Sequence, residues 1–141
     1  MPYNQNDFSN TWGGRKEINM VRQLSDYRGS YWFAETYFPV DANGNRYITE
    51  GLIVAVAKVA TNATYGDTFM AVPWNAAASY GAGSDHAVGI LDVRLNATMQ
   101  AEAVSLKYHG QLQKRNIYYL GGQRGDIPAA VKTQLPDIDW V

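Results

Sequence analysis

Cysteine is absent from the 141 residues. Disulfides, thiolate nucleophiles and thiolate metal sites are therefore excluded, and the fold must hold by packing or by association. Histidine is nearly absent: His86 and His109 stand far apart, with neither a His-x-x-x-His nor a His-Glu pattern, so no metal is expected. Charged residues make up only 18% of the chain, below the usual share of about a quarter. The net charge of −1 leaves no basic excess to neutralise phosphates, so nucleic acid is not an expected partner. No apolar run approaches the ~20 residues of a membrane-spanning helix, and no membrane partner is expected. The opening Met-Pro-Tyr-Asn-Gln-Asn-Asp has neither a basic nor an apolar stretch of the kind a secretion signal uses. Synthesis in a cytoplasm is the expectation.

What the chain has in quantity is aromatic surface: ten Tyr, four Trp and four Phe. Few charges combined with many large rings suit a protein that buries area against partners, because Tyr and Trp join apolar bulk to a polar tip. A local basic run from Lys107 through Lys114 and Arg115 to Arg124 contains no acidic residue. It reads as a solvated strand face or as a docking patch for an acidic protein surface.

The length fits one domain, residues 1–141. Residues 1–14 form a polar arm with Phe8 and Trp12 as anchors, closing on Gly13-Gly14. Residues 15–47 are an aromatic-rich extension in which Arg28-Gly29-Ser30 interrupts helical spacing, and Tyr31 to Phe38 prefer a strand. Asp41 to Asn45 mark a turn. Residues 48–125 are the β core. Leu52 to Ala60 form a buried strand, Asn62 to Asp67 a turn, Phe69 to Trp74 a strand stopped by Pro73, and 75–86 a small-residue loop. Ala87 to Leu95 read as one strand with Leu91, Val93 and Leu95 on one face and Asp92 and Arg94 on the other, and Gly89 marks a bulge or a close approach. Val104, Leu106 and Tyr108 alternate with Ser105, Lys107 and His109 before a turn at Gly110, and Gln111 to Tyr119 make a further strand. Residues 126–141 are a short helix, capped by Asp126 and ended by Pro136, and an acidic tail with Ile138 and Trp140 as anchors. The expected class is mainly β, a small barrel or sandwich-like domain with one or two short helices and an extended N-terminal arm.

Catalytic patterns are wanting. Ser84-Asp85-His86 holds the three residue types of a hydrolase triad, but neighbours on an extended chain point to opposite sides and cannot relay a proton. Gly81-Ala82-Gly83 lacks the Lys-Ser/Thr ending of a phosphate loop. Asp92 and Glu102 flank a turn and read as solvated. Neither an enzyme, a cofactor nor a small-molecule substrate is expected.

One stretch goes further. Ile48-Thr49-Glu50-Gly51-Leu52-Ile53, the small-residue loop before Ala87-Val88-Gly89-Ile90-Leu91, the polar turn Asn96-Ala97-Thr98, and Val104 to Leu112 with its Gly110 together resemble the head decoration (cement) proteins of tailed phages, the group of the phage lambda decoration protein. The resemblance covers residues 48–112 and implies a virion protein on the outer capsid surface. It would be a homotrimer at threefold and quasi-threefold positions that stabilises the expanded shell against DNA pressure by binding the major capsid protein. By position, Phe8, Trp12, Arg15 and Lys16 would meet the capsid, while Trp74, Tyr80, Val88 and Ile90 would serve the trimer or core interface. Residues 15–47 and the tail after Gly121 depart from the family pattern. Two other readings stay open: a carbohydrate- or ligand-binding β module using Trp12, Trp32, Trp74 and Tyr80 as stacking platforms, and a tail or neck subunit.

Overall fold

The computed structural model describes residues 26–96 and 103–141. It is mainly β. The elements are β1 (Asp26–Trp32), β2 (Tyr47–Ile48), β3 (Ile53–Ala60), β4 (Thr68–Pro73), β5 (Ala87–Leu91), β6 (Leu95–Asn96), β7 (Ala103–Leu112), helix α1 (Ala129–Gln134) and β8 (Ile138–Trp140), with 3-10 turns at Glu35–Tyr37 and Lys114–Asn116. Five strands form a sheet in the order β1-β7-β5-β3-β4, antiparallel throughout, and β8 pairs parallel with the end of β7. A separate ribbon joins β2 to β6.

β3 sits inside the sheet and explains its own sequence. Strand side chains alternate between faces, yet Ile53, Val54, Ala55 and Ala57 are all buried. Both faces are covered, so an uninterrupted apolar run is what the position demands. Ile53, Ala55 and Ala57 join Val72, Trp74, Ala87 and Ile90 on one face, closed by Val131 of α1, Leu135 and Ile138 of β8. Leu52 and Val54 join Ala71, Leu91 and Leu106 on the other, closed by Phe33, Phe38, Ile48 and Leu95.

No barrel closure is found among the described residues. The sheet curls until its outer strands touch once, where Phe33, just past β1, bridges Ala71 of β4 in parallel and Ala34 N–H donates to the Ala71 carbonyl at 2.9 Å. One bridge is not a ladder, and the seam stays open on either side of it.

Several expectations need correction. Arg28-Gly29-Ser30 lies within β1 as an irregularity in its register with β7, which is how a strand absorbs an extra residue, while the helical spacing before it lies outside the described residues. The strand from Ala87 ends at Leu91, not Leu95, and Leu95–Asn96 pairs instead with β2. Gly110 does not turn the chain: β7 runs through it to Leu112, with Gly110 at φ +108° and its N–H donated to Asp137 O at 3.1 Å. Past Leu112 the expected further strand is replaced by the 3-10 turn at Lys114–Asn116. Asp126 does not cap α1, whose N-cap is Pro128 without any side-chain hydrogen bond. Gly89 meets both of its expectations: the β3–β5 register shifts beside it, and a Cβ there would lie 2.6 Å from Leu106 Cβ. The Asx turns at Asp41 and Asn62 form where expected, each carboxyl or amide oxygen accepting two backbone N–H groups.

Candidate functional site

Surface and buried charge are the two places where this chain departs from an ordinary small β domain. At the surface, Trp32 at the end of β1 is 60% exposed and Phe69 in β4 is 58% exposed. Because the Phe33–Ala71 bridge is parallel, Trp32 and Phe69 precede it on both strands and stand at the same end of the seam. Trp32 stands one residue before Phe33 and Phe69 two before Ala71, so the two rings project from opposite faces of the sheet at that end. Among the described residues β1 pairs otherwise only with β7 and β4 only with β3, so both are edge strands of the described sheet. Tyr47 on the ribbon, Tyr65 at the tip of the β3–β4 hairpin, Val40 and Val93 add further exposed apolar area.

The residues singled out from the sequence are distributed as follows. Phe8, Trp12, Arg15 and Lys16 lie outside the described residues, as does Glu102. Trp74 and Ile90 are core, at 3% and 0% exposure. The Trp74 indole N–H donates to Asp85 O at 2.9 Å and its ring meets Tyr119 edge-on at 5.8 Å. Trp74 is therefore no stacking platform for a sugar. Tyr80 is half-buried against Tyr37 at 5.1 Å, and Val88 is half-buried against the second core cluster. Ser84 is a loop staple: its hydroxyl donates to Gly81 O at 2.7 Å and accepts from Tyr80 N–H. Trp140 packs inward against the first cluster.

The basic run disperses. Lys114 and Arg115 are exposed, but Lys107 is fully buried, its ammonium 3.8 Å from Asp92 Oδ2. Arg124 is drawn inward as well. Its guanidinium donates to Glu50 O at 2.9 Å, to Asn116 O and to Thr49 Oγ1 at 3.2 Å, and it lies 4.6 Å from the Tyr118 ring centre. Asp92 and Arg94, read as a solvated face, follow β5 after the strand has ended. Asp92 is buried, and Arg94 reaches the fully buried Glu50 carboxylate at 3.2 Å. The web that ties Glu50, Arg94, Arg124, Thr49 and Tyr118 was not legible in any motif, since its members come from four separated segments. Its one trace was a pair of charges, Asp92 and Arg94, set into an apolar run.

Within that web Tyr118 and Thr49 exchange hydrogen bonds, with the two hydroxyl oxygens 2.5 Å apart and the phenol donating to Thr49 O at 3.1 Å. Burial holds the Tyr118 phenol above its ordinary 10.0, against the lowering effects of the Thr49 hydroxyl and the Arg124 charge, with Glu50 adding a smaller upward push. A pKa raised in the folded state means that the stabilisation is complete below the unfolded value, near pH 10, and is lost as pH climbs through the folded one. Stability to urea is therefore expected to fall above about pH 10, and Tyr118→Phe to flatten that part of the profile. A variant whose alkaline loss matched the parent's would show that the phenol is not its source.

A shallow cleft of about 420 Å³ is lined by Trp74, Asn75, Ala77, Tyr119 and Pro128 among others, without a charged side chain. No group of three potential ligands from His, Cys, Asp or Glu occurs among the described residues, nor does a helix long and apolar enough to cross a membrane. Comparison with family models, with curated proteins and with solved structures finds no match.

Proposed function

We propose that this chain is a structural subunit of a tailed-phage virion. In this reading it seats as a homotrimer on the outer surface of the expanded capsid, at threefold and quasi-threefold positions. There it bridges copies of the major capsid protein and holds the shell against internal DNA pressure. The observation that carries the reading is the exposure of Trp32 and of Phe69 on β1 and β4, the two edge strands of the sheet among the described residues. Rings of this size left in water are characteristic of the anchor positions of interfaces, and an edge strand accepts a partner segment through main-chain hydrogen bonds with little demand on its sequence. The resemblance over residues 48–112 supplies the kind of partner. Repetition supplies the strength, since a standard interface of about 1,600 Å² multiplied over a shell binds by linkage.

The test is to mix the full-length protein with expanded and with unexpanded shells and measure the bound fraction by sedimentation. Binding to the expanded form alone is expected. Trp32 and Phe69 are both more exposed than covered, so Trp32→Ser combined with Phe69→Ser is expected to cost no more than about 1 kcal/mol of stability per site. The same pair of changes should weaken shell binding by roughly 100-fold, the effect of losing two modest anchors. Light scattering should report a trimer. Equal affinity for both shell forms, or a monomer that leaves both untouched, would end the reading.

A further inference from the structure

The buried charge between β5 and β7 goes beyond any surface role. Lys107 and Asp92 are withdrawn from water almost completely, at 0% and 4% side-chain exposure, with Nζ 3.8 Å from Oδ2. Isolating such a pair from solvent is costly, and well-packed apolar side chains often do as well or better. Their backbones are fixed: Lys107 lies opposite Ile90 and Leu106 opposite Leu91 in the β5–β7 ladder, and Asp92 follows directly. An amine and a carboxyl are therefore held together in a site that water barely reaches, with Nζ within ion-pair distance of the carboxylate.

We propose that Lys107 and Asp92 condense into an intramolecular amide, a covalent tie between β7 and the exit of β5. One proton passes from the ammonium to the carboxylate, leaving a neutral amine and a neutral acid. The Nζ lone pair forms the new bond to Cγ. As the tetrahedral intermediate collapses, the Cγ–OH bond breaks, and the hydroxyl leaves as water with a proton from the nitrogen. Lysine ammonium plus aspartate carboxylate yields amide plus water, with no oxidant or cofactor required. Exclusion of solvent favours the condensed side, and a neutral amide replaces two buried ions. Glu50, fully buried, lies on the segment joined to β5 by the Gly51 N–H to Leu91 O bond at 2.7 Å. Its carboxylate is held by Arg94, so the proton passes directly between the Lys107 and Asp92 side chains. The inference stands apart from the capsid reading, although a load-bearing subunit would gain most from such a tie.

Intact mass of the purified, denatured full-length chain tests it. The expected value is the sequence mass less one water. Proteolysis should release a branched peptide containing both Lys107 and Asp92, and Lys107→Arg should restore the full sequence mass. An unreduced mass after prolonged incubation of the folded protein would overturn the proposal. So would a water loss that maps to a cyclised aspartate within a linear peptide. The result on the unaltered chain decides the matter even where the variant fails to fold.

Discussion

Asp92→Ala is expected to lower stability by about 3–5 kcal/mol, the usual consequence of removing one partner of a buried ion pair. The change takes away the counter-charge 3.8 Å from a fully buried ammonium and leaves the ammonium in place. Against a total of about 5–15 kcal/mol for a domain, such a loss brings the fold close to its limit. Adding Lys107→Met should return the larger part of the loss, since no ion then remains in the core and methionine follows a similar path through it. These figures refer to the uncondensed pair, and whatever deficit persists in the double variant reflects packing lost on replacing Asp92 and Lys107. Urea midpoints of the parent, the single and the double variant check the prediction. A single variant as stable as the parent would show that the pair is solvated in solution.

Gly51→Ala should be of similar severity for a different reason. Gly51 has φ +93°, and a Cβ there would fall on the Asn116 carbonyl and 2.9 Å from Arg124 Nη1. Neither neighbour can retreat cheaply. The Asn116 carbonyl is itself held by Arg124, and Gly51 is bonded on both sides, through its N–H to Leu91 O at 2.7 Å and its carbonyl to Tyr118 N–H at 3.0 Å. Backbone strain of about 1–2 kcal/mol is compounded by overlap that has to displace the whole web. A total above about 3 kcal/mol is expected, in line with overpacking at a site that cannot relax. Gly44→Ala is the control. Its φ is +84°, but nothing lies within 4 Å of the added carbon, so only the strain of about 1–2 kcal/mol is felt. Equal losses at the two positions would show that the contact with Asn116 is not what requires glycine at position 51.

Much of the sheet could be read in advance, and the reasons are local. Leu52 to Ala60 is too short for a membrane span and too β-branched for a helix, and Ile53–Ala60 forms a strand paired on both sides within the sheet. Asp41 and Asn62 carry the side chains that make Asx turns, and both turns form. Gly89 looked out of place in a strand, and a neighbouring strand indeed lies against it. The failures share one cause. Gly110, whose glycine suggested a turn, does take a positive φ, yet pairing with β8 and bonding to Asp137 carry the strand straight past it. Asp92 and Lys107 alternate with apolar neighbours as solvent-facing residues would, and both are buried, because other layers close over the two faces of the sheet there. Neither outcome is encoded within a few residues of the position it concerns.

The sequence by itself determined that the protein is mainly β, where its chief turns fall, and that it lacks the thiol, histidine and nucleophile patterns of familiar chemistry. Those are properties of composition, of period-two alternation and of side chains acting on their own backbone. Only the tertiary structure decided which charges meet: Asp92 with Lys107, Arg94 with Glu50, and Arg124 with Thr49 and Asn116. It also decided that Trp74 is enclosed while Trp32 and Phe69 stand in water at the open seam. Burial and ion pairing depend on segments distant in the chain, brought together by strand order. A tryptophan in a core and a tryptophan at an interface are the same residue until that order is known.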